Sequence, residues 1–134
     1  MRVVLVLVVG LGLLLGSAAR AQDSYPDLKG TWTGKGDGVF FASPGAHGKA
    51  TFGSVEITVV IDHQEDRRFS GTITMARGSK PIVGVITDDG AIWWSEPGGF
   101  VEGRLTDADT FSGCYVRVSE FSQLAACEVL KRQK

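Results

Sequence analysis

Apolar and polar residues alternate at every second position through most of the chain, and no stripe at helical spacing competes with that pattern. Val55, Ile57, Val59 and Ile61 fall on one face of a strand over 55–61. Phe69, Gly71, Ile73 and Met75 fall on one face of the next, over 69–75, with Ser70, Thr72 and Thr74 opposite. A long first strand is predicted over 28–41, bent at its glycines, and further strands over 82–87, 91–96, 100–105, 110–118 and 124–132. Turn signals separate them: the charged run 62–68, then Arg77 to Pro81, Asp88-Asp89-Gly90, Pro97-Gly98-Gly99 and Thr106 to Asp109. Residues 42–53, with Pro44, Gly45, Gly48 and Gly53, form the longest predicted loop, placed to act as a lid over an open end.

Short strands joined in sequence by short turns make a meander. Left open, such a sheet has two aggregation-prone edges, and closure removes both. The predicted fold is therefore all-β, an eight-stranded antiparallel up-and-down barrel, a size whose interior holds side chains or one small ligand. Phe69-Ser70-Gly71, Phe100 to Gly103 and Phe111-Ser112-Gly113 repeat an aromatic shortly before a glycine. Mid-strand glycines of this kind suit the strong coiling of a small barrel.

The Asp-Gly pair makes residues 82–96 the clearest hairpin. With a two-residue Asp89-Gly90 turn, Trp94 shares a face with Ile92, Val83 and Val85, and Trp93 with Ile82, Gly84 and Ile86. Both faces are apolar, so alternation leaves open which tryptophan is inside. The outward one would offer a contact for a partner protein or a second copy of the chain.

Residues 1–21 stand outside this pattern. Arg2 precedes an uncharged run from Val3 to Gly16, too short for the ~20 residues of a membrane span, and Ala19 and Ala21 then match an A-x-A cleavage site. The expected mature chain starts at Gln22, so that 22–134 form a single barrel domain, periplasmic or secreted, with no stable membrane insertion after cleavage. The leader takes Arg2 and Arg20 from 14 basic residues and none of the 15 acidic ones. The exported chain is thus mildly acidic and offers no basic stripe for nucleic acid.

Both cysteines lie in the exported part, where an oxidising compartment favours a disulfide. If 110–118 and 124–132 pair with Val118 opposite Gln123, Cys114 stands directly opposite Cys127, about 4.5–5.5 Å away between Cα atoms and within disulfide reach. A Cys114–Cys127 bridge on the outer face would turn Tyr115 inward.

Gly30-Thr31-Trp32 at the head of the first strand resembles the Gly-x-Trp of lipocalins and the Gly-Thr-Trp of the avidin–streptavidin family. Phe69-Ser70-Gly71-Thr72 and Thr110 to Val116 are similar to the aromatic-x-Gly strands of the latter. The resemblance implies a calycin-type barrel with Trp32 near its floor. It does not carry a biotin site, because the chain has no Asn and no Trp beyond Trp94, and a lipocalin C-terminal helix has no counterpart.

Catalytic signals are sparse. His47 and His63 are the only imidazoles, and Asp62-His63 with Glu65 and Asp66 reads as a solvated turn rather than a metal or acid–base cluster. Gly34-Lys35-Gly36-Asp37-Gly38 fits no phosphate-binding loop and reads as a bend. The expectation is a non-catalytic barrel without metal or cofactor. It would bind an apolar or amphipathic small molecule through Trp32, Trp94, Phe111 and Tyr115, with room left by inward Gly71, Gly84 and Gly113. The alternative is a barrel that binds a protein, for example as an inhibitor of a secreted or periplasmic enzyme.

Overall fold

A computed structural model describes residues 25–42, 49–120 and 122–134. The predicted leader, His47 and half of the predicted lid, residues 43–48, lie outside the described residues. The alternating segments form β1 (Gly30–Ala42), β2 (Thr51–Glu65), β3 (Arg68–Met75), β4 (Gly78–Ile86), β5 (Ile92–Glu96), β6 (Gly99–Asp107), β7 (Thr110–Val118) and β8 (Ser122–Arg132). Each strand pairs antiparallel with the next, and β8 returns to β1, which closes the barrel. The fold is the predicted up-and-down meander.

Several strands run further than the pattern alone indicates. The charged segment after Ile61 continues β2 through a bulge between Ile61 and His63, and the chain reverses at Asp66, whose φ is 55°. Asp is among the few side chains that tolerate this left-handed turn. His63 is exposed, 3.4 Å from Glu65. Gly78 to Pro81, predicted as turn, begins β4; Pro81 is tolerated because it lies short of Val83, where pairing with β5 begins.

The 82–96 hairpin departs from expectation by one residue. Thr87 N–H donates to Ala91 O at 2.8 Å and Gly90 N–H to Thr87 O at 3.0 Å, so the loop is the three residues Asp88–Gly90, with Gly90 at φ 82°. A three-residue loop closed by a left-handed glycine is the next commonest hairpin after the two-residue type. The added residue changes the register to Ile86 opposite Ile92 and Gly84 opposite Trp94. A one-residue slip exchanges the faces. Trp94 accordingly shares the interior with Ile82, Gly84 and Ile86, while Trp93 lies outside with Val83 and Val85.

At the C-terminal hairpin the predicted register is observed, Val118 opposite Gln123 and Cys114 opposite Cys127. The two cysteines form a disulfide across Cα atoms 3.9 Å apart, on the outer face, and Tyr115 is buried inside.

One end of the barrel is sealed. Residues 25–29 cross it, and Leu28 enters the core. Leu28 N–H donates to Gln64 Oε1 at 2.7 Å, and Gln64 Nε2 donates to Pro26 O at 2.9 Å. Trp32 stands at the start of β1 with its indole N–H donated to Leu28 O at 2.9 Å. The Arg132 guanidinium lies 4.3 Å over the Trp32 ring and donates to Lys29 O and Asp27 O at 2.6 and 2.7 Å. A desolvated cation on an indole face and carbonyls that would otherwise lack donors both favour this closure.

Candidate ligand cavity

The interior divides along the barrel axis. Near the sealed end, Trp32, Val59, Ile61, Ile92, Trp94, Phe111 and Leu130 converge on a void of about 20 Å³. That is room for roughly one water and for no organic ligand. Trp94 and Phe111 pack with ring centroids 4.8 Å apart. The inward glycines leave no vacancy here, contrary to expectation. A Cβ at Gly84 would collide with the Phe69 ring, and one at Gly103 or Gly113 would lie 2.5 Å from Phe111 Cζ. These glycines are the seats on which aromatic rings lie. At Gly71 the close neighbour is backbone, the Val60 carbonyl, because the strands approach tightly there.

Toward the other end, open among the described residues, the same strands surround a cavity of about 500 Å³. Its walls are Val55, Ile57, Ile73, Met75, Val101 and Leu124, with Phe40 near the mouth. Inward positions of β1 and β8 are small here: Gly36, Gly38 and Ala126. A side chain at Gly36 would sit 3.0 Å from Ile57 Cδ1 and one at Gly38 2.6 Å from Ala126 Cβ, so bulk at either position would encroach on this space. The Gly34–Gly38 run therefore belongs to one continuous strand, in which Gly34 allows close approach of the Val129 carbonyl and Gly36 and Gly38 line the cavity.

Charged groups line this cavity. Glu96 continues the inward series of Ile92 and Trp94, and Glu128 that of Leu124, Ala126 and Leu130. The Glu96 side chain is 3% exposed, and its carboxylate lies 3.6 Å from Lys80 Nζ. Glu128 is 5% exposed. Among the described residues, Glu96 Oε2, Glu128 Oε1 and Arg117 Nε have no hydrogen-bond partner, although Glu96 Oε2 is ion-paired with Lys80. Burial, and secondarily the neighbouring Glu96 charge, push the Glu128 carboxyl up to about 7. Burial also raises the Tyr115 phenol, with the Glu96 charge adding to it. A Cβ at Gly99 would fall 2.5 Å from Tyr115 Oη, so the absent side chain at that turn makes space for the phenol.

Of the four residues expected to meet a ligand, the structure brings Trp32, Trp94 and Phe111 together in the filled half, and Tyr115 alone lines the wide cavity. Glu96, Glu128, Lys80 and Arg117 were missed. The signal was parity: once Trp94 is inside, Glu96 must be, and once Cys127 is outside, Glu128 is inside.

No family model and no curated protein matches the chain. Among solved structures it is similar to a redesigned β-barrel, which covers 80% of this chain and 92% of that one at 15% identity, with a TM-score of 0.43.

Proposed function

We propose that this protein is an exported, non-catalytic carrier or sensor barrel that binds one amphipathic small molecule in the cavity of its open half. The observation that carries this reading is an apolar space of about 500 Å³ lined by two carboxylates, each with one buried oxygen that has no hydrogen-bond partner among the described residues. Small-molecule sites have this character, mostly apolar walls of about 300–1,000 Å³ with a few convergent polar groups. Buried polar atoms without partners are uncommon in folded proteins, because each forfeits its hydration. Tyr115 places its phenol among the same groups. The disulfide supports an oxidising, extracytoplasmic location. The avidin-like and lipocalin-like strand motifs agree with a ligand-holding barrel, without a biotin site.

Native mass spectrometry of the protein exported and purified without detergent or refolding tests this. The expected result is a reproducible added mass of a few hundred daltons that Ala126→Leu, which directs bulk into the cavity, removes. A bare mass from every preparation, together with no uptake of added amphiphiles, would overturn it.

A second reading, binding of a protein partner or a second copy of the chain, draws on the outer strip of β4–β6. Val83, Val85, Trp93 and Phe100 are exposed there, with Trp93 and Phe100 stacked at 5.6 Å. In the same spectra a bare chain bound to a larger protein, or to itself, would favour that reading.

A further inference from the structure

We propose that the cavity selects an amphiphile with a basic nitrogen, its ammonium seated against Glu128 and Glu96 and its apolar body along Val55, Ile73 and Leu124. This rests on the ligand-cavity reading and adds the chemistry of the head group. Glu128 is 5% exposed, lines the cavity, and has an oxygen with no hydrogen-bond partner among the described residues. Its strand neighbours are Gly36 on β1 and Gly113 on β7, so no side chain directly across can donate to it. Among the described residues, the titratable groups that share its cavity are Tyr115 and Arg117 on β7, Glu96 on β5, Lys80 on β4 and Arg77 at the β3–β4 turn. Lys80 already faces Glu96. The charge that acts on Glu128 is the like charge of Glu96.

A buried carboxylate that faces another carboxylate needs a proton or a cation. An ammonium supplies several donors and the opposite charge together, and charge-assisted hydrogen bonds are about twice as strong as neutral ones. An alcohol supplies a single neutral donor. A fatty carboxylate would add a third negative charge and would have to bind at Lys80 and Arg117 instead. Because Glu128 holds its proton up to about 7, it must release that proton to receive an ammonium, so amine affinity should fall as pH drops below that value.

Calorimetric titration of the oxidised protein with decylamine, decanol and decanoate below their aggregation concentrations separates these heads on one tail. At pH 8 decylamine is expected to bind about tenfold tighter than decanol, or more, and decanoate no tighter than decanol. Glu128→Gln should bring the amine-to-alcohol ratio close to one. Should that variant fail to fold, Glu96→Gln should lower the same ratio, and an undiminished ratio in folded Glu96→Gln would overturn the assignment. Preference for decanoate, or equal affinity for amine and alcohol, would also overturn it while the cavity reading stands. Failure of all three to bind would remove the cavity reading itself.

Discussion

The sealed and open halves of this barrel are made from the same strands, and their interiors differ in almost every respect. Trp32 and Trp94, with Phe69 and Phe111 on their glycine seats, fill the sealed half and leave about 20 Å³ empty. The open half holds smaller aliphatic side chains, about 500 Å³ of space and buried carboxylates without full partners. The first arrangement gains free energy from burial and packing; the second gives some of it up. The contrast sets a densely packed half against a roomy one along a single axis, and on the proposed reading the first supplies stability and the second binding, with Tyr115 and Val101 lining the roomy half. A small domain can tolerate an under-satisfied pocket when its other half is densely packed.

The largest test of that division is Trp32→Ala. It removes a buried ring, the hydrogen bond to Leu28 and the surface on which Arg132 rests, so a loss of about 3–5 kcal/mol is expected in urea denaturation. A loss below ~1 kcal/mol would mean that the sealed half is not the source of stability.

Next in size is the pH dependence set by Glu128. Its carboxyl rises from 4.5 to about 7 on folding, so the folded state binds the proton more tightly. The associated stability is fully present below 4.5 and is lost as pH rises through about 7. Its magnitude is on the order of 3 kcal/mol. Denaturation of the wild type and Glu128→Gln between pH 4 and 8 should give curves that diverge over this window, the variant being relatively more stable at the alkaline end. Parallel curves would show that Glu128 is hydrated in the folded protein and that the open half is not the strained one.

Reduction of Cys114–Cys127 acts on the outer wall of the open half, next to Tyr115 and Ala126. The bridge closes a short loop, with a sequence separation of 13, and its removal should cost roughly 3 kcal/mol or less. Melting with and without reductant measures it, and an unchanged midpoint would mean the wall stands without its staple.

Much of this architecture is legible in the sequence because period-two alternation and closure leave few choices. The β7–β8 register follows from turn position and is observed to the residue. The β4–β5 register is not legible in the same way, since Asp88-Asp89-Gly90 suits loops of two or three residues and both faces of the hairpin are apolar. Thr87 and its bond to Ala91 choose between them. The division into two halves was hidden for a different reason. A glycine records only that a side chain is absent, and whether it seats a ring, as Gly113 does Phe111, or borders a cavity, as Gly36 does, depends on partners distant in sequence. Glu96 and Glu128 were overlooked because a charged residue in a strand ordinarily faces water.

The most direct test of the central claim, that the open half binds and the sealed half does not, is a ¹H–¹⁵N spectrum of the oxidised protein titrated with decylamine. Saturable shifts are expected to concentrate at Gly36, Gly38, Ile73, Glu96, Tyr115, Ala126 and Glu128, with Ile61, Ile92 and Leu130 nearly still. Saturable shifts centred instead on Trp93 and Phe100 at the outer surface, or on the sealed half, would contradict it.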